Sequence, residues 1–360
     1  MIDITTLGGK RIDENTFKQL IKQIKLKITE DYKFPPEIIT LSGATIATLG
    51  NFSASTGKPK SKKTFNVSAI VAACLSGREI LNYKASLPEG KKKILYIDTE
   101  QSKYHCHKVM ERIFKLAGLP TNTETDMIDF FVLREYTPEQ RRDIINLALS
   151  SNSEYGLVVV DGVRDLLRDI NNRSEALDII NDLMRWSSYY DLHIHTVLHL
   201  NKGDDNTRGH IGTELNNKAE TVLQITKSLD DPDMSEVKAM FIRDKEFAPF
   251  AFRIDSNGLP QTVDGYKAEM SRDKKMHYSK LKNEQHREAI ESVIGNNTPV
   301  GYNQMIILLQ NGYSNIGYSR GRNTIINLLK YLLNMGFIAK IDKTYQYVYE
   351  EKDSGQSDSK

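Results

Sequence analysis

An α/β fold with a mainly parallel sheet, followed by a small helix-rich domain closing on a hairpin, is what this chain predicts. Two observations carry it. From about residue 41 to 255, apolar strand-like runs alternate with amphipathic helical patterns, which places parallel strands between two helical layers. From about residue 282 the pattern changes to three helical stretches and then two short runs around a turn.

Taken in order, residues 1–40 form a lead-in whose Phe17, Leu20, Ile21, Ile24 and Ile28 recur at helical spacing until Pro35-Pro36. The strand expectations are Thr45–Gly50, Lys93–Asp98, Asp129–Leu133, Gly156–Asp161, His193–His199, Thr221–Thr226 and Glu236–Arg243, with helices over 65–76, 103–117, 138–150 and 174–190. Residues 256–281 read as a linker, opening on Ser256-Asn257-Gly258 and mostly polar from Lys267 to Lys280. In the 282–350 segment, helices over about 283–294, Tyr302–Leu309 and 322–335 precede strands at Phe337–Ile341 and Tyr345–Tyr349. That order predicts a winged helix-turn-helix. The polar residues 351–360 read as a disordered tail.

With 39% hydrophobic and 27% charged residues, the 360-residue chain suits a globular protein with room for two domains. A net charge of +2 says little about partners, so any nucleic-acid surface must come from local clusters. Two cysteines, Cys74 and Cys106, exclude a disulfide framework and a four-cysteine zinc site and suit a reducing cytosol. No run approaches the roughly 20 apolar residues a membrane helix needs; a cytoplasmic location is expected.

The strongest motif is Gly57-Lys58-Pro59-Lys60-Ser61-Lys62-Lys63-Thr64. It is the phosphate-binding pattern G-x-x-x-x-G-K-[ST] with Lys62 in place of the second glycine. Ala44–Leu49 before it reads as a buried strand and Phe65–Leu75 after it as an apolar helix, the setting in which backbone N–H groups converge on phosphate. Lys63 then reaches the β- and γ-phosphates of ATP, and Thr64 binds Mg²⁺. A Cβ at position 62 crowds the loop, or its ammonium adds a second cation.

Further along, Lys93–Asp98 ends at Asp98-Thr99-Glu100, where a carboxylate can polarise an attacking water or, alternatively, cap the next helix. Val158-Val159-Val160-Asp161 ends a strand with a carboxylate placed for the Mg²⁺ shell. His199 and Asn201 stand where polar groups can sense a γ-phosphate, although His199 also suits a hydrogen-bonded core. His193, His195 and His199 lack the partners of a metal set. The segment Gly203–Thr213 reads as a polar loop carrying Arg208, with Lys202 just before it, both candidate contacts to DNA or a neighbouring subunit. Arg243 and Lys245 end a strand with two cations, the type of group that can act in a neighbour's site or remain solvated.

Together these motifs resemble the RecA-like ATPase core over residues 44–255, and within it the RepA-type plasmid helicases and AAA-type ATPases of bacterial plasmids and mobile elements. The resemblance implies phosphate binding by Lys63, catalysis by Glu100, Mg²⁺ binding by Thr64 and Asp161, sensing by His199 or Asn201, and a trans-acting cation at Arg243 or Lys245. It implies a homo-oligomeric ring, possibly a hexamer, acting on DNA. In the last domain Arg320, Arg322 and Lys330 on or beside the third helix, and Lys340, Lys343 and Tyr345 on the hairpin, are the expected DNA contacts. Three readings stay open: a DNA motor, an ATP-responsive DNA-binding regulator with little turnover, and a small-molecule kinase.

Overall fold

The computed structural model describes residues 6–7, 10–200, 209–228, 231–266, 278–295 and 298–348. The chain divides into two compact units, Met1–Ala268 and Glu269–Lys360.

In the first unit a nine-stranded sheet has the order Pro260–Thr262, Phe250–Ile254, Met234–Ile242, Thr221–Lys227, Phe52–Gly57, His193–His199, Tyr155–Asp161, Lys93–Asp98, Ile128–Val132. From Thr221–Lys227 to Ile128–Val132 every neighbouring pair is parallel; the first three strands add on antiparallel. Side chains alternate between two cores, as a strand's period of two requires. Ile94, Tyr96, Leu157 and Val159 pack with the helices Lys63–Ser76 and Lys103–Ala117. Leu95, Ile97, Val158 and Val160 pack on the other face with Pro138–Ser151 and Arg173–Tyr189. The expected large, mainly parallel sheet is present, as a RecA-like core has.

The strand entering the phosphate loop is Phe52–Gly57, not the expected Ala44–Leu49. Ala44–Thr48 is indeed a buried strand, but it belongs to a separate three-stranded antiparallel sheet with Glu37–Leu41 and Tyr83–Ala85. Phe52-Ser53-Ala54-Ser55-Thr56 lacks an apolar run because its hydroxyls are buried against partners on the adjacent strand. His193 Nδ1 lies 2.8 Å from the Thr48 carbonyl, which can only accept, so Nδ1 carries the proton. Nε2 therefore accepts from the Ser53 hydroxyl at 2.7 Å, and Ser53 Oγ in turn accepts from His195 Nδ1 at 2.8 Å. His195 Nε2 then accepts from Ser55 at 2.9 Å. Both imidazoles are neutral and fully buried.

Two further expectations change. Residues 209–213 are not loop: Gly209–Lys218 is a helix that buries Ile211, Gly212 and Leu215, while 201–208, with Asn201, Lys202 and Arg208, lie outside the described residues. Pro260–Thr262, inside the stretch read as linker, is the edge strand of the sheet. It is too short to show a periodicity, and its proline suits an edge. The lead-in helix runs Glu14–Ile24, so Ile28 falls beyond it.

In the second unit Asn283–Glu291, Tyr302–Asn315 and Arg322–Asn334 are helices, and Ile338–Ile341 and Thr344–Tyr347 form a hairpin. A short strand missed in the sequence, Val300–Gly301, pairs with the second hairpin strand. Ile290, Ile306, Leu309, Ile325, Leu329, Leu332 and Ile338 share one core. Tyr345, read as an exposed contact, is buried in that core; Lys330, Lys340 and Lys343 are exposed.

Burial lowers the pKa of His193 to about 4 and of His195 to about 3. Both lie below the unfolded value of about 6.5, so at acid pH the unfolded chain binds more protons and stability is lost as pH falls. The urea midpoint, followed through Trp186 of the first unit, is expected to drop as pH falls from about 6.5 towards 4. The His193→Asn, His195→Gln double variant should lose that part of the slope; an equal slope in both chains would contradict the assignment.

Candidate functional site

Gly57 ends its strand and Lys63 opens the helix Lys63–Ser76. A Cβ at Gly57 would come within 2.4 Å of both the Ile225 carbonyl and Ser61 Oγ, so the leading glycine is sterically required. The loop turns back through left-handed backbone at Lys60 (φ 65°) and Lys62 (φ 66°). Lys62 thus holds the conformation a glycine would adopt freely, at a cost of about 1–2 kcal/mol for a side-chain-bearing residue. Among the described residues no side chain caps the helix, and its first turn holds no acid. Those N–H groups and the helix dipole are open to an anion. Among the described residues the buried Ser61 hydroxyl has no hydrogen-bond partner, a defect that a phosphate oxygen would repair.

Lys63 is 6% exposed. Its ammonium donates to the carbonyls of Gly57 (3.0 Å) and Lys58 (3.1 Å) and to His199 Nδ1 (3.1 Å). Burial pulls its pKa down to about 8, against the opposing pull of Asp161 and Glu100. Lys62 does not add a second cation at the same place: its ammonium reaches across to the Pro232 carbonyl.

The strands set the carboxylates. Asp98 and Asp161 are direct partners in adjacent parallel strands. Burial, then the charge of Asp98, pushes Asp161 up to about 7. Asp161 Oδ2 accepts from Tyr96 OH at 2.9 Å and from Thr64 Oγ1 at 3.3 Å. Asp98 accepts from the backbone N–H of Glu100 (3.0 Å) and Gln101 (2.7 Å) and from the Gln101 amide (2.6 Å), so its oxygens are committed to the following turn. Glu100 projects into the cleft instead, with Oε1 3.7 Å from His199 Nε2. That histidine, foremost, holds the Glu100 carboxyl below the usual range, helped by Lys63 and Arg164. His199 is half-exposed in the cleft, not a core residue. Register places it there, since His199 pairs with Gly57.

These groups line one cleft of about 300 Å³. Thr64 and Asp161 offer hard oxygens at a spacing suited to Mg²⁺, which takes one or two protein carboxylates and completes its shell with water and phosphate oxygens. Among the described residues no group of three or more metal-ligating side chains forms a protein-only cage.

Sequence reasoning missed Tyr96, Thr99, Phe65 and Arg112. Tyr96 was legible, because it shares the Asp98 face of its strand. Thr99 Oγ1 donates within the turn after Asp161, lying 3.0 Å from the Gly162 carbonyl. At Gly162 (φ 103°) a Cβ would lie 2.1 Å from that hydroxyl. Arg243 and Lys245 are not part of their own chain's cleft. Ile242 pairs with Thr221, which pairs with Ser53, so Arg243 follows at the opposite end of the sheet from Gly57, where it donates to the Lys218 carbonyl at 2.9 Å.

A phosphate loop on a central parallel strand, with acids at the ends of neighbouring strands, defines a P-loop nucleotide-binding protein. The AAA domain family model matches residues 24–205, half of the chain, and the chain belongs to that family. No curated protein matches it. Among solved structures, the crystal structure of the RadB recombinase is similar, with 15% identity and a TM-score of 0.42 over 58% of this chain and 90% of that one. A likeness at that level says nothing about activity or partners.

Lys62→Gly should relieve the left-handed strain and raise stability by about 1 kcal/mol, with nucleotide affinity kept. Thermal unfolding and nucleotide titration check this; a destabilised variant would show that the tie to Pro232 outweighs the strain.

Proposed function

We propose that this chain is an ATP-hydrolysing, DNA-associated motor, helicase-like or DNA-remodelling, serving the replication or mobilisation of a plasmid or other mobile element. The observation that carries the catalytic part is the convergence of Lys63, Thr64, Asp161, Glu100 and His199 on one cleft. Lys63 exchanges its loop carbonyls for the β- and γ-phosphate oxygens. Thr64 and Asp161 would hold Mg²⁺, which would neutralise phosphate charge. Glu100, kept ionised beside His199, takes the proton of the attacking water. His199 touches both Lys63 and Glu100 and so senses whether phosphate is present.

The DNA part rests on the second unit, whose order of helices and hairpin suits a winged helix-turn-helix. Arg320 lies over the Tyr318 ring at 3.8 Å. Arg322 donates to Asn303 at 2.8 Å, and Lys330 and Lys343 are exposed. Arg243 and Lys245, remote from their own cleft, act in a neighbour's site within a ring of copies. No helix among the described residues is long and apolar enough to cross a membrane.

Turnover of the full chain with and without single- and double-stranded DNA is the decisive measurement. Stimulation by DNA is expected. Glu100→Gln should keep ATP binding and lose about 10²–10⁴-fold in turnover. Arg243→Ala mixed with Asp161→Asn should recover some activity, because a shared site needs only one intact half from each chain. Slow, unstimulated turnover with tight DNA binding would favour the ATP-responsive regulator.

Replacing Arg320 and Arg322 together by alanine should weaken duplex binding and flatten its dependence on log salt by about one unit per lost phosphate contact. Duplex titrations at several salt concentrations read this; unchanged slopes would move the second unit to a protein-binding role.

A further inference from the structure

We propose that the outer face of the helix Arg322–Asn334 reads sequence: Asn323 and Asn327 pair with the major-groove edges of adenines in duplex DNA, while the cations around them hold phosphate. The inference rests on the DNA reading of the second unit and goes beyond it, from a charged surface to a choice of base.

The charge around this helix suits a polyanion. Residues 292–341 contain no aspartate or glutamate, in a chain that carries 47 of them. The same stretch holds Arg320, Arg322, Lys330 and Lys340, and the next acid, Asp342, falls at the hairpin turn beside Lys343. Phosphate therefore meets cations along the helix without a like charge between them. Cations alone give affinity and no choice of sequence. The choice has to come from the groups that stand among them.

Those groups are amides. Asn323, Asn327, Lys330 and Asn334 follow one another at intervals of four, three and four residues, which puts them on one helical face. All four are exposed. The opposite face buries Ile325, Leu328, Leu329 and Leu332 in the core, so the polar face is fixed outward. None of the three amides has a hydrogen-bond partner among the described residues. Asparagine is a poor helix former, because its side chain competes with the backbone. A merely solvated face would be better served by lysine, glutamate or glutamine, so this stripe weakens the helix that carries it.

An asparagine amide offers a donor and an acceptor side by side, the match for N7 and the amino group of adenine. Arginine would select guanine instead, but both arginines are held at the helix start. Arg322 Nη2 donates to Asn303 Oδ1 at 2.8 Å. Arg320 lies over the Tyr318 ring, 3.8 Å from its centroid, and its Nη1 donates to the Ser319 carbonyl at 2.8 Å. Asn323 and Asn327 fall in the first two turns, the part of a recognition helix that meets base edges. Lys330, further along, is left for the backbone.

Selection of duplexes with a randomised core by the full chain tests the proposal, followed by titration of the enriched duplex and of one whose core has only G·C pairs. The enriched core should contain adenines and bind about tenfold tighter than the G·C duplex. Replacing those adenines by the deazaadenine that lacks the N7 acceptor keeps the pairing with thymine and should erase the advantage. Asn323→Ala combined with Asn327→Ala should bring the two duplexes to equal affinity; both positions are exposed and alanine is the better helix former, so the fold is kept. Lys330→Ala should weaken both duplexes and leave the ratio between them. No enrichment, a core enriched in guanine, or an adenine preference that survives the deazaadenine and so comes from the minor groove would each overturn the inference while the DNA reading stands. A chain that binds no duplex at low salt would overturn the DNA reading and the inference with it.

Discussion

The register between Phe52–Gly57 and His193–His199 is the constraint on which the rest of the site depends. In that register His195 stands opposite Ser53 and His199 opposite Gly57. The buried chain from Thr48 through His193, Ser53 and His195 to Ser55 satisfies every imidazole nitrogen and leaves one arrangement of protons. A slip by one residue would break these bonds and turn each side chain to the wrong face. Polar groups buried in a sheet are expensive when half-satisfied and specific when complete. The same register delivers His199 to the phosphate loop, at 3.1 Å from the Lys63 ammonium.

Within the cleft, environment divides the labour among chemically similar carboxylates. Asp98 spends its oxygens on the N–H groups and amide of the following turn. Asp161 is buried beside Asp98 and shares a proton-donating neighbourhood of Tyr96 and Thr64, which suits a cation ligand. Glu100 faces His199, whose proximity favours the ionised form that a general base requires. Neither acid caps the helix Lys103–Ala117, whose N-cap is Ser102: Asp98 holds the turn before it, and the Glu100 carboxylate faces His199 in the cleft. The lysine at position 62 keeps the left-handed backbone of the missing glycine, so the loop's path survives the substitution and only its strain changes.

Much of this was legible in the sequence. The strand Lys93–Asp98 and the helix 103–117 follow from periodicity, because each buries an apolar face; His193–His199 shows a strand's alternation, but its buried face carries His193 and His195. That Gly57, Lys63, Thr64, Glu100 and Asp161 belong near one loop was readable from their spacing, and the structure brings Lys63, Thr64, Glu100 and Asp161 to one cleft. Only the tertiary structure decided the rest. Phe52–Gly57 has serines and threonine where a buried strand usually has aliphatics, and nothing local reveals that histidines on another strand will satisfy them. Ala44–Thr48 carries a strand's pattern, but a pattern does not say which sheet it joins. Arg243 ends a strand with a cation in either direction of that strand; its antiparallel pairing put it at the far end of the sheet from Gly57. Arg112 sits on an ordinary amphipathic helix, and its meeting with Phe65 depends on how two helices pack, a long-range contact that no sequence window contains.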